Sequence, residues 1–401
     1  MDRKLRSGLF GVATVFNARR PFIRNRALTV PSFALGWIGT EAAQLWLVRH
    51  GLSTARLLTK GRARSRQEHL ALAAHAAAAA GFAGLIVEGR RTGEEIEPVL
   101  APFLSPETIA ARPQSVHIGE YIPVLMGQRN RTINRNISYG KHGWRNKMDV
   151  VLPRAESTGP RPALLQIHGG GWILGNKQQQ GLALLNHMAK QGWIGFNMNY
   201  RLAPKTKFPE QLIDCKSAVA WIREHADELG VDPDFIAVTG GSAGGYLTAM
   251  MALTANDPEF QPGFESSDTT VQAAVPFYGV YDLLDRNHAM APGFDHFLQT
   301  LVVGSKMTSD EARWTRFSPI DRVHPDAPPM MILHGTVDTL VPVEQARPFA
   351  QAMKQTSDHA VLYAELAGAN HAFDIFPSPR SVRTVEYVER FLDGVRRGEI
   401  K

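Results

Sequence analysis

Beyond about residue 110 the chain repeats one pattern: a short, mostly apolar run, then a longer stretch in which apolar positions recur every three or four residues. Runs of four to eight apolar residues suit buried strands, and the 3.6-residue period suits amphipathic helices. The apolar runs fall at 116–125, 148–152, 163–167, 195–199, 236–239, 273–278, 330–333 and 360–365. The helical periods fall at 180–191, 209–228, 243–253 and 381–396. Such alternation predicts an α/β fold, a mostly parallel eight-stranded sheet flanked by helices. In sheets of that kind the functional groups gather beyond the C-terminal ends of the strands.

Residues 1–110 read differently, as a helical N-terminal extension or cap ahead of a catalytic domain over 111–401. Two apolar segments stand out in it. The first, 28–48, is interrupted by Pro31 and Glu41; the second, 70–87, is mostly alanine with His75, Gly81 and Gly84 inside it. The second is barely long enough to cross a bilayer and much less apolar than a leucine-rich span, so it predicts a buried or interfacial helix.

Charge sharpens that division. Residues 1–70 hold 13 Lys+Arg and 3 Asp+Glu, a local net charge of +10 in a chain whose total is +6, so the remainder is acidic. Basic residues there alternate with apolar and aromatic ones, Trp37 and Trp46 among them, a mixture that suits an anionic membrane or lipid surface better than a nucleic-acid groove. The alternative is a solvated arm packed on its own domain. Arg3, Lys4 and Arg6 before the apolar stretch 9–16 imitate a secretory signal, but Asn17-Ala18-Arg19-Arg20 follows in place of a small-residue cleavage site. The expectation is a cytoplasmic or peripherally membrane-associated protein.

Composition excludes more than it selects. With 44% hydrophobic residues and 20% charged, the chain is that of an ordinary globular protein. One cysteine, Cys215, leaves neither an intramolecular disulfide nor a multi-cysteine metal site, and its helical surroundings predict simple burial.

The chemistry lies in three loops. Gly240-Gly241-Ser242-Ala243-Gly244 follows an apolar run and opens a helical stretch, the setting in which G-x-S-x-G presents a nucleophilic serine on a tight strand-to-helix turn. His168-Gly169-Gly170-Gly171-Trp172 follows the run 163–167 and offers bare backbone amides; Gly169 and Gly170, with Ala243, are the expected oxyanion donors. The same glycines lack the Lys-Ser/Thr ending of a phosphate loop. A serine nucleophile needs a base, and the base an acid that holds its tautomer. Asp338 follows the strand 330–333, and His371 follows the last strand, so the order is Ser242, Asp338, His371. Asp374, three residues past the histidine, is the rival acid and is expected to turn outward or to cap the next helix; His334 and His359 are poorer bases by position.

Taken together these residues resemble the hormone-sensitive-lipase-like group of bacterial esterases and lipases, of the α/β-hydrolase fold. Tyr200-Arg201-Leu202-Ala203-Pro204, Phe208-Pro209, Asp214 and Asp232-Pro233 sit where that group carries the same words, and the resemblance covers about 115–395. One departure is Gly241, where the group usually has an acidic residue before the nucleophile. The resemblance implies a serine carboxylesterase or lipase that acts on small-molecule or lipid esters of short to medium acyl chain, through an acyl-enzyme and without metal or cofactor. It also implies a cap drawn from 1–110 and an insertion at about 285–316, where Phe294, Phe297, Leu298 and Leu301 either line the acyl pocket or pack on the core. An amidase, formamidase or peptidase on the same triad is the alternative, and a non-catalytic ligand-binding homologue a more distant one.

Overall fold

The computed structural model describes residues 2–21, 28–59, 65–110, 131–157 and 159–401. Its centre is one sheet of eight strands: β1 (Arg131–Ser138), β2 (Lys147–Pro153), β3 (Arg161–Ile167), β4 (Ile194–Met198), β5 (Val231–Gly241), β6 (Ala273–Phe277), β7 (Met330–Gly335) and β8 (Val361–Leu366). The spatial order is β1-β2-β4-β3-β5-β6-β7-β8, with β1 and β2 antiparallel to their neighbours and every later pairing parallel. The strand expected at 116–125 lies outside the described residues. The sheet instead begins with β1, a polar stretch (RTINRNIS) that no apolar run announces. Among the described residues it is an edge strand, irregular between Asn134 and Ile137, with Asn136 at a φ of 62°. Its described side chains, from 133 to 138, are half-buried or exposed, so hydropathy does not reveal it.

Both faces of the parallel strands are covered. Along β3, Ala163, Leu165 and Ile167 join the core on one side, while Leu164 joins that on the other, the two-residue alternation of a pleated strand. The helices of the bundle before the sheet are α1 (Arg3–Arg19), α2 (Thr29–Glu41), α3 (Ala43–Leu58), α4 (Arg66–Arg90), α5 (Thr92–Leu100) and α6 (Pro106–Ala110). Those between the strands are α7 (Leu182–Lys190), α8 (Glu210–Glu224), α9 (Ala226–Leu229), α10 (Ala243–Leu253), α11 (Phe294–Phe297), α12 (Glu311–Phe317) and α13 (Ala346–Thr356), and α14 (Pro379–Arg396) follows the last. Cys215 is buried in α8, and burial pushes its thiol pKa up, as befits a packing residue.

The alanine-rich run is the spine of the N-terminal bundle. It lies in α4, whose Ala71, Ala74 and Ala78 are buried against α1 at Gly8 and Gly11. A Cβ on Gly8 would stand 2.8 Å from that of Ala74, and one on Gly11 2.9 Å from that of Ala78. Small residues on both helices let the backbones approach closely. On the other flank Trp46 of α3 stacks on Phe82 of α4 with ring centroids 5.6 Å apart.

Helix α2 ties this bundle to the sheet. Its Trp37 indole N–H donates to the Ala372 carbonyl at 2.8 Å, and its ring stacks on Phe376 at 4.5 Å. At its end Glu41 is buried, its carboxylate 3.4 Å from the Arg380 guanidinium and accepting from the Ser378 hydroxyl. Burial raises the Glu41 pKa, and Arg380 pulls it back. Removing one partner of a buried ion pair strands the other charge, at a cost of about 3–5 kcal/mol, whereas removing both charges costs far less. Arg380→Met is therefore expected to lower the thermal midpoint clearly, and Glu41→Gln combined with Arg380→Met to recover part of the loss. Equal midpoints in wild type and Arg380→Met would show that the pair does not hold the bundle.

Candidate active site

The turn between β5 and α10 is the tightest piece of backbone in the site. Ser242 has φ 60° and ψ −121°, a conformation L-residues rarely adopt, and is held in it from both sides. Its N–H donates to the Phe277 carbonyl at 3.0 Å, and its own carbonyl accepts from Tyr246 N–H at 2.9 Å. A Cβ on Gly244 would lie 2.1 Å from the Ile167 carbonyl oxygen, so only glycine lets α10 start this close to the end of β3. From residue 236 to residue 253 every residue is buried except Ser242. The fold thus brings a single hydroxyl to the surface of an otherwise closed turn.

Asp338 and His371 meet on the loops that follow β7 and β8. The histidine Nδ1 lies 2.6 Å from Asp338 Oδ2, and the other carboxylate oxygen accepts the N–H groups of Leu340 and Val341 at 2.9 and 2.8 Å. Burial opposes ionisation of Asp338, but His371 and His334 beside it outweigh that and hold its pKa at about 2. With the carboxylate ionised, the proton shared across this contact belongs to Nδ1, and Nε2 is left as the acceptor. The His371 backbone N–H donates to Asn370 Oδ1 at 2.7 Å, and the same oxygen takes the Thr339 N–H at 3.2 Å, joining the two loops.

Asp374 does neither of the things expected of it. It accepts from the Tyr278 hydroxyl, while the N-cap of α14 is Ser378. Tyr278 links the nucleophile turn to the base loop: its ring centroid is 4.6 Å from that of His371, and a Cβ on Gly241 would fall 2.5 Å from its hydroxyl. This gives a physical reason for Gly241. An aspartate there would occupy the volume of the Tyr278 ring.

The glycine loop is placed by buried side chains. His168 Nδ1 lies 2.7 Å from the Gly169 carbonyl, and its ring stacks at 4.2 Å on Tyr200, whose hydroxyl donates to the His168 carbonyl. Burial pushes the His168 pKa down to about 4. One expected donor needs correction. The Gly169 N–H already donates to Gln180 Oε1 at 2.6 Å, so it is aimed at that side chain and not at a substrate. Among the described residues, the N–H groups of Gly170, Gly171 and Ala243 make no such bond, and they form the open donor set.

Several neighbours were not foreseen from the sequence: Gln180, Tyr278, His334, Asn370 and the aromatic face of α2. Phe33 of α2 meets the His371 ring edge-on at 6.1 Å. No local motif marks these residues, because each acts through a fold-level contact. His334 Nε2 lies 2.7 Å from the Val341 carbonyl and 3.5 Å from Asp338, bracing the acid loop. In the 285–316 segment, Leu298 is buried, while Phe294, Phe297 and Leu301 are partly buried against the core. Phe297 also faces the glycine loop, its ring tip 3.5 Å from a Cβ built on Gly171. Arg201 grips Asp214 through its backbone N–H, Nε and Nη2. Among the described residues no group of three or more His, Cys, Asp or Glu could hold a metal ion.

Residues 148–353 match the BD-FAE family, a span that carries the glycine loop, Ser242 and Asp338. Over 396 residues the chain is 40% identical to the probable carboxylic ester hydrolase LipM of Mycobacterium tuberculosis, covering 95% of this chain and 90% of that one. The chain belongs to the BD-FAE family. Esterase LipQ of the same organism is 41% identical over 276 residues, 66% of this chain and 65% of its own. Among solved structures, the butyrate-bound thermophilic esterase of Thermogutta terrifontis superposes with a TM-score of 0.55 at 28% identity, over 68% of this chain and 96% of that one. The family member described here is thus an α/β hydrolase of the hormone-sensitive-lipase-like bacterial esterase group, and the LipM match takes in most of the N-terminal helices as well.

Two outcomes follow for this site. Gly241→Asp, which installs the group's usual residue, is expected to lower both thermal midpoint and turnover, the latter at least about tenfold. The loss should be non-additive with Tyr278→Ala, because the clash is with that ring; strict additivity in a double-mutant cycle would contradict it. The second outcome concerns pH. His168 and, in the bundle, His50 are both pushed down to about 4, His168 by burial and His50 by burial first and then by the charges of His75 and Arg49. Unfolding restores an ordinary pKa near 6.5, so the unfolded chain takes up protons first. Stability is complete above pH 6.5 and is lost as pH falls toward 4; a thermal midpoint flat across that window would refute the assignment.

Proposed function

We propose that this carboxylic ester hydrolase cleaves small-molecule esters of short to medium acyl chain through an acyl-enzyme on Ser242. The observation that carries the reading is the 2.6 Å contact between His371 and the ionised Asp338, on loops adjoining the only unburied residue of the β5–α10 turn. In the proposed reaction His371 Nε2 takes the Ser242 hydroxyl proton as the oxygen attacks the ester carbonyl. The tetrahedral oxyanion is met by the Gly170, Gly171 and Ala243 amides. Collapse expels the alcohol, to which His371 returns the proton, and leaves the acyl group on Ser242. Water then attacks the acyl-enzyme, with His371 again as base, and releases the acid.

Asp338 holds the imidazole in the tautomer that exposes Nε2 and stabilises the imidazolium that forms at each transfer. The preference for short acyl groups is supported by one neighbour, the Thermogutta terrifontis esterase, solved with butyrate and with propionate bound and 28% identical to this chain. The test is turnover of nitrophenyl esters from acetate to laurate. Wild type is expected to be most active on the shorter members. Ser242→Ala should lose at least about 10⁴-fold in kcat, and Asp338→Asn about 10³- to 10⁴-fold. A folded wild type that cleaved nitroanilides or formamides but no ester would replace this reading with an amidase on the same residues.

A further inference from the structure

Among the described residues, fourteen of the sixteen large apolar side chains left exposed lie between positions 9 and 103; the other two are Trp144 and Leu174. They are not scattered singly over the molecule, as exposed apolar residues normally are. Two grooves show how they connect. One, of about 290 Å³, is lined by Val12 and Phe16 of α1 with Ala77 of α4; the other, of about 430 Å³, by Val48 of α3 with Val87 of α4. Helix α4 is thus flanked by α1 and α3, and between Leu70 and Val87 it carries no Asp, Glu, Lys or Arg. Along α3, Leu45, Val48 and Leu52 add a second exposed stripe at helical spacing.

The rim of this face is cationic. Helices α1 and α3 hold six Lys and Arg and no carboxylate, and α4 adds Arg66 and Arg90 against Glu68 and Glu88, which pair with Lys4 and Arg19. Arg19, Arg20 and Arg90 line the same two grooves, and Arg49 and Arg56 alternate with the apolar stripe of α3. A second copy of the chain would bring this charge against its like. An anionic lipid surface complements it, and takes up the apolar stripe at the depth of the acyl boundary.

We infer that the outer face of α1, α4 and α3 docks on the surface of an anionic phospholipid bilayer, holding the enzyme there peripherally. By length and composition α4 could cross a membrane, with a third of its apolar stretch buried. Its contacts with Gly8, Gly11 and Trp46 occupy it within the bundle, which makes the docked arrangement the one the packing supports. Docking of this kind presents α2, and through Phe33 and Trp37 the His371 loop, to a lipid-borne ester.

The test is co-sedimentation of the full chain with vesicles of neutral phosphatidylcholine and of phosphatidylcholine containing one quarter phosphatidylglycerol. Vesicle binding is read without turnover, so it stands or falls separately from the chemistry at Ser242. The expected result is binding to the anionic vesicles, weakened by salt and released by carbonate washing. Phe16→Glu, Val48→Glu and Leu52→Glu change side chains that are 60%, 60% and 54% exposed. Each should weaken binding at least about tenfold while hydrolysis of a soluble nitrophenyl ester is unchanged. The inference is overturned by absence of binding to anionic vesicles, or by binding that the three variants leave intact. It is equally overturned by retention after carbonate, which would mean a spanning helix, or by a stable dimer that the same variants dissociate.

Discussion

The left-handed backbone of Ser242 is the constraint on which the site depends. A residue held at φ 60° costs on the order of 1–3 kcal/mol, and such a conformation persists only where its surroundings over-determine it. Here the surroundings are a buried strand, a fully buried helix α10, and glycines that let the turn rest on the carbonyls of β3 and β6. The sheet order then fixes what the serine can meet. With β3 on one side of β5 and β6, β7 and β8 on the other, the glycine loop approaches from one flank and the loops of Asp338 and His371 from the opposite one.

The supporting contacts explain why these loops stay where the chemistry needs them. Tyr278 fills the space that Gly241 leaves, touches the His371 ring and bonds Asp374, so one side chain connects the nucleophile turn to the base loop. Asn370 and His334 brace the acid loop, Gln180 sets the glycine loop, and α2 closes over the histidine from outside. The departure at Gly241 is thus coupled to its neighbour, and is not an isolated loss of an acidic residue.

Much of this was legible in the chain. Seven of the strands follow from apolar runs because most of their residues are buried; six of them are central, and β8, though at the far edge of the sheet, is largely buried too. The order Ser242, Asp338, His371 follows from the loops that succeed them. What sequence could not show depends on contacts between distant segments. The polar edge strand β1 buries too little to leave a hydropathy signal. The Gly169 amide is claimed by Gln180, eleven residues away, and Asp374 by Tyr278, 96 residues away, so neither direction can be read from local spacing. The alanine run in α4 was ambiguous alone; the glycines of α1 that receive it make its packing role plain.

The central claim, that Ser242 is the activated nucleophile, is tested most directly by covalent capture. A fluorophosphonate ester transfers its phosphonyl group only to a serine oxygen activated in place. Incubation with the native protein, followed by intact mass and peptide mapping, should give one adduct, carried by the peptide that contains Ser242, with ester hydrolysis lost in step. An adduct on a different residue, or continued hydrolysis by protein fully labelled elsewhere, would contradict the account.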